Sequence, residues 1–174
     1  GGLLQPEPAP PAASSSKDEN EFLRVSVGIV GTCEEVEKSY VRLTRQPHAS
    51  SIRPERVLRM SLESVLRREA EGEDYEARMD SLMSTCQDLR LQQINNDLTV
   101  TVRELMAVYA LRDRARGKSG KLEVDISSFS DAILHLTTLY EANPGQPREL
   151  EFAVYRFAFH FSHPPMHSAT SLSR

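Results

Sequence analysis

From Pro54 to Ser162 the apolar residues recur three and four positions apart, and this spacing leaves few folds open to the chain. It gathers side chains on one face of a helix, whereas a half-buried strand alternates at every second residue. Val57, Leu58, Ser61, Leu62, Val65 and Leu66 make a first stripe. Pro54 precedes it and fits the first helical position, where its missing N–H costs nothing. The acidic run EAEGED around Gly72 ends that helix. A second begins near Asp74 and carries Tyr75, Met79, Leu82, Met83, Cys86 and Leu89. After the polar break NND, Leu98, Val102, Leu105, Met106 and Tyr109 line a third, with Asp97 or Thr99 as its cap and Gly117 as its terminator. The fourth spans about 126 to 142 with Phe129, Ile133, Leu136 and Tyr140, before the turn ANPGQP.

The fifth stretch, about 148 to 162, has a different pattern. Leu150, Ala153, Val154, Phe157, Ala158 and Phe161 share one stripe, while Phe152, Tyr155 and Phe159 are apolar on the other side. A helix that is apolar nearly all round expects neighbours on both sides, and only HPPMHSATSLSR follows. Phe152, Tyr155 and Phe159 are therefore the candidate partner interface.

Five helices with short connectors predict an all-α chain of antiparallel neighbours, either a helix-pair solenoid or a bundle. Upstream, EKSYVRLTRQPHASSIRPERVL (37–58) reads as a short helix, a polar connector and the helix at Pro54. Thr32 is its plausible cap, with Glu34 and Glu35 in a first turn. Residues 22–30 alternate loosely and suit an extended segment. The Pro-, Ala- and Ser-rich residues 1–21 bury too little to offset ordering and predict a disordered arm, and 163–174 a disordered tail. Residues 22–162 are thus the helical domain, which suits a length of 174.

The residues that carry chemistry are sparse. Two cysteines, Cys33 and Cys86, lie far apart with no signal peptide, so free thiols in a reducing compartment are expected. No apolar run reaches the roughly 20 residues of a membrane span. HFSHPPMH holds three of the five histidines, but its prolines prevent two ligands at a fixed helical spacing, and no metal site is expected. No G-x-S-x-G motif occurs, and GKSGK (117–121) lacks the upstream glycine and strand of a phosphate loop. Neither a catalytic residue nor a cofactor is expected. With a net charge of −4, any basic site must be local. Arg112, Arg114, Arg116, Lys118 and Lys121 form one such cluster, either a phosphate contact for RNA or a solvated loop at a helix end.

Four ordered segments then resemble the Sac-three/GANP family, in the branch of leukocyte receptor cluster member eight and its yeast counterpart. VGIVGTC and KSYVRLTRQPHASSIRPERVL match through Tyr40, Arg42, Leu43, Thr44, Pro47, Arg53, Pro54, Val57 and Leu58. STCQDLRLQQI matches through Ser84, Gln87, Asp88, Leu89, Gln92 and Ile94, and LTVTVRELMAVYAL through Thr99, Val100, Val102, Glu104, Ala107, Ala110 and Leu111. LYEANPGQPRELEFAVYR matches through Leu139, Tyr140, Asn143, Glu151, Phe152, Tyr155 and Arg156. Cys86, Met106 and Val108 stand where the branch has arginine, histidine and arginine.

The resemblance implies the N-terminal part of a PCI-type module, with a winged-helix part expected beyond these residues. It further implies a nuclear, non-catalytic role in messenger-RNA processing and export. The expected partners are a PCI-domain subunit and a small acidic subunit, with RNA as a further ligand and no membrane contact. A protein-binding scaffold of the proteasome-lid or initiation-factor kind is the other reading. Arg53, Gln87, Asp88 and Glu104 are expected as buried polar ties between helices, since their neighbours are apolar. Pro54, Tyr140 and Arg156 complete that set of structural positions.

Overall fold

A computed structural model describes residues 29–116 and 122–162. The expected arm, the tail, most of the extended segment, Gly117, Lys118, Lys121, His163 and His167 lie outside them.

Five helices follow in order: α1 (Glu55–Ala70), α2 (Tyr75–Leu91), α3 (Asp97–Arg112), α4 (Ile126–Ala142) and α5 (Glu149–Ser162). Each packs on its successor, and the α3–α4 contact is the most extensive. The result is an all-α stack of the solenoid or bundle kind. Between α3 and α4, β1 (Arg114–Arg116) pairs antiparallel with β2 (Leu122–Val124), with Arg114 opposite Val124. These strands take up part of the expected basic loop, whose residues 117–121 lie outside the described ones. The hairpin also ends α3 at Arg112, because the next residue, Asp113, turns to extended backbone while its N–H caps the Tyr109 carbonyl.

Side-chain caps start three of the helices. Asp74 accepts a hydrogen bond from the Ala77 N–H, Asn96 from Leu98, and Asp125 from Ser128. Each satisfies an amide that the helix itself cannot. The cap of α3 is thus Asn96, rather than Asp97 or Thr99. Pro54 sits one residue earlier than expected, at the cap of α1, with Glu55 as the first helical residue. The stripes meet in one core that includes Leu58, Val65, Leu82, Leu89, Leu98, Tyr109, Phe129 and Leu136. Leu66, expected in the first stripe, is 42% exposed.

The segment before α1 differs most from expectation. Residues 32–46 form no helix, despite the Thr32 cap and the two glutamates; one turn of 3-10 helix, Ala49–Ser51, is the only helical part. The segment instead runs as a strap over α1 and α2. The Thr32 N–H donates to the Ala49 carbonyl and that of Cys33 to Ile52, both at 2.9 Å. Gln87 Nε2 donates to the Val41 carbonyl at 2.9 Å, and the Tyr40 N–H donates to the Asp80 carboxylate. Bonds to distant side chains outcompete a local helix here, because they satisfy the same backbone groups while covering the core.

Gly31 marks the tightest approach of the strap. A Cβ there would lie 2.4 Å from the Ile52 carbonyl oxygen and 2.7 Å from its carbon, both backbone atoms that cannot swing aside. Gly31→Ala is therefore expected to push the strap off and cost about 1–3 kcal/mol, as overpacking does. Urea unfolding measures this, and an unchanged midpoint would refute the close approach.

Candidate functional site

Arg53 is fully buried, and its bonds reach the strap, α1 and α2. Its Nε donates to Asp88 Oδ2 at 2.7 Å. One terminal nitrogen donates to the Val36 carbonyl and to Ser61 Oγ, both at 3.1 Å, and the other to Ser84 Oγ at 2.9 Å. The second Asp88 oxygen accepts from Lys38 Nζ at 3.0 Å. Strap, α1 and α2 thus converge on one ion pair with both side chains at 0% exposure. Beside it, Gln92 accepts from the Gly31 N–H and donates to the Arg53 carbonyl. All these bonds are internal, so the arrangement holds elements together and offers nothing to a substrate.

Glu104 plays a similar part between α3 and α4, where it accepts from the Tyr140 hydroxyl at 2.8 Å. Burial, and then that carboxylate, push the Tyr140 phenol above its usual range. Arg156 is exposed and donates to Thr137 Oγ1 at 2.9 Å.

The expected basic cluster is only partly described, and its first member is already neutralised. Arg112 donates to Glu69 at 2.6 Å and to Asp113 at 2.9 Å, and its guanidinium lies 5.0 Å from the centre of the Tyr109 ring. Arg78 covers the same ring at 4.6 Å and bonds Asp113 at 2.8 Å. The Tyr109 hydroxyl donates to Glu69, and this bond, with Arg112, holds the Glu69 carboxyl below the usual range. A phosphate reaching Arg112 would have to displace two carboxylates. Arg114 and Arg116 lie on β1, while Lys118 and Lys121 are outside the described residues.

The expected interface on α5 is corrected by the structure. Phe152 is 2% exposed and packs against Tyr140 and Tyr155, and Phe159 meets Phe129 edge-on at 5.5 Å between ring centres. The three aromatic side chains Phe152, Tyr155 and Phe159 therefore face inward and fasten α5 to α4. The opposite stripe stands outward: Leu150, Val154, Phe157 and Phe161 are 57 to 78% exposed. The contacts of Phe152 and Phe159 with Tyr140 and Phe129 fix which face turns in. Four large apolar side chains in one line are not the singly scattered kind that needs no explanation. Their spacing of four, three and four residues is that of a helix seam built to receive a second helix.

Among the described residues no His, Cys, Asp or Glu side chains gather as a metal site, and no helix is long and apolar enough to cross a membrane. Both cysteines are free, and burial pushes the Cys86 thiol up to about 11. Of these features the outward face of α5 is the candidate functional site.

No family model matches the chain. Curated proteins do. SAC3 family protein A of Arabidopsis thaliana is 36% identical over 131 residues, 75% of this chain and 12% of that protein. A THP3 homolog of Schizosaccharomyces pombe is 31% identical over 150 residues, 84% of this chain and 35% of that protein. The leukocyte receptor cluster member 8 homolog of Xenopus laevis is 30% identical over 158 residues, 91% of this chain and 18% of that protein. The chain thus spans 12 to 35% of the length of these three relatives, and none of their names describes an enzyme.

Proposed function

Because the chain belongs to the family of SAC3 and THP3 proteins, we propose that it is a non-catalytic helical scaffold in nuclear messenger-RNA processing and export. In this reading it is the N-terminal part of a PCI-type module. The outward face of α5 docks a PCI-domain subunit, in a complex that also holds a small acidic subunit and RNA. One observation carries the reading: the described helical stack turns Leu150, Val154, Phe157 and Phe161 to solvent on α5. Such a face is costly to leave in water and is covered in a working assembly. The mechanism is positional, with the internal ties setting where that face points.

Titration of the chain with a purified PCI-domain subunit tests the docking. Phe157→Ser with Phe161→Ser is expected to weaken binding by about 100-fold or more, since buried aromatic anchors dominate interfaces. Helicity should stay unchanged, because both rings are exposed in the isolated chain. Equal affinity for the native and doubly substituted chains would sink the docking face.

A second reading, a scaffold that binds proteins alone, is favoured by the neutralisation of Arg112 by Glu69 and Asp113. It predicts weak RNA binding with little dependence on salt, because phosphate contacts release counterions.

A further inference from the structure

Two adjoining clefts lie over α3, between α2 and α4. One has a volume of 330 Å³ and the other 430 Å³, within the roughly 300–1,000 Å³ of ligand sites. They share Cys86, Arg90 and Arg103 as a common wall, so the two arginines stand where the clefts meet. The only carboxylate on either wall is Asp131, which accepts from Arg103 at 2.8 Å and lies 3.5 Å from His135 Nε2. Arg90 is exposed and has no ion pair with a described residue. It contrasts with Arg59, Arg68, Arg78, Arg112 and Arg148, each of which meets a carboxylate. Burial and the charges of Arg103 and Arg90 lower the His135 pKa, against the raising effect of Asp131.

In a chain of net charge −4, the groove is therefore a local positive site. The rest of its lining mixes apolar side chains, among them Met83, Met106, Ile94 and Leu139, with polar ones. Hydroxyls of Ser127 and Ser128 flank one cleft, and Thr99 and Asn95 flank the other. Tyr40, 38% exposed on the strap, lines the first cleft and offers a ring on which a base can stack.

We propose that this groove binds single-stranded RNA, with Arg90 and Arg103 on successive phosphates and Tyr40 against a base. The proposal rests on the RNA-scaffold reading above and moves its RNA contact from the hairpin to α2, α3 and α4. A strand fits these features better than a phosphopeptide does. Two cations, one of them paired with Asp131, stand at the junction of two clefts, and an aromatic ring lines one of the clefts.

The test is binding of an oligouridylate of about a dozen nucleotides to the full chain, between about 50 and 200 mM salt. Arg90→Glu removes an exposed cation that has no ion pair among the described residues, so the fold should be unaffected. It is expected to weaken binding about tenfold or more at the lower salt and to reduce the salt slope by about 0.7 for each phosphate that is no longer neutralised. Tyr40→Ala should weaken it severalfold while leaving the slope unchanged. Lys118→Glu with Lys121→Glu should change affinity less than twofold. Arg90→Glu binding as tightly as the native chain would overturn the assignment. So would no binding by the native chain at low salt, weakening confined to the hairpin variant, or capture of a phosphoserine peptide in place of the oligonucleotide. The docking reading is scored separately, because Phe157→Ser with Phe161→Ser should leave oligouridylate binding as it was.

Discussion

Asp88→Ala is expected to destabilise the chain by about 3–5 kcal/mol and lower its Tm by about 10 °C or more. The substitution leaves the Arg53 guanidinium fully buried with its carboxylate partner gone, and such a charge cannot regain water without opening the stack. Against a total stability of about 5–15 kcal/mol, that loss leaves little reserve. Calorimetry reads the effect directly. A second variant separates the ion pair from what it positions. Replacing both partners, Arg53→Met with Asp88→Leu, removes the buried charges together, and paired apolar replacement is often neutral elsewhere. Here recovery should stay incomplete, because Lys38 loses its carboxylate and the Val36 carbonyl its donor as well. The deficit should appear as faster hydrogen exchange over residues 31–46. Full recovery with protection intact would show that the strap is held by other means.

Phe152→Ala carries the second large effect, about 3–5 kcal/mol for a buried aromatic truncation. Its consequence is local. α5 packs chiefly on α4, and its 14 residues make a helix too short to persist alone. Loss of the ring beside Tyr140 and Tyr155 should therefore release α5 while α1 to α4 remain folded. Circular dichroism should show about one helix of ellipticity lost in a separate, lower transition. The matching change on the other face, Val154→Ser, should shift stability by less than about 0.5 kcal/mol. Similar losses from Phe152→Ala and Val154→Ser would reverse the orientation of the helix.

The helices were legible in the sequence wherever one face was apolar and polar breaks flanked it. The expected 126–142 coincides with Ile126–Ala142, because Asp125 and Asn143 bound a single clear stripe. The strap was not legible. Its helical caps and acidic first turn are local signals, and they lose to bonds that Asp88 and Gln92 make across 35 to 61 positions of chain. α5 defeated pattern reading for another reason: both of its sides are apolar, so the choice of face rests on the shape of α4. Arg112 read as a free cation because its partner Glu69 comes 43 residues earlier, on another helix. Arg90, which pairs with no described carboxylate, carries no signal of its own in the sequence, since a groove between three helices leaves no periodic trace.

The strap also has a consequence for synthesis. Gly31 is made 61 residues before Gln92, the side chain that receives its amide. At about 5–20 residues per second, a ribosome needs about 3–12 s to supply that acceptor. During this interval the strap can reach only its nearer partners, such as the Ala49 and Ile52 carbonyls and Ser64, and the ties that α2 supplies are still absent. Chaperone access to the strap and α1 therefore ends only when α2 and Gln92 have been made.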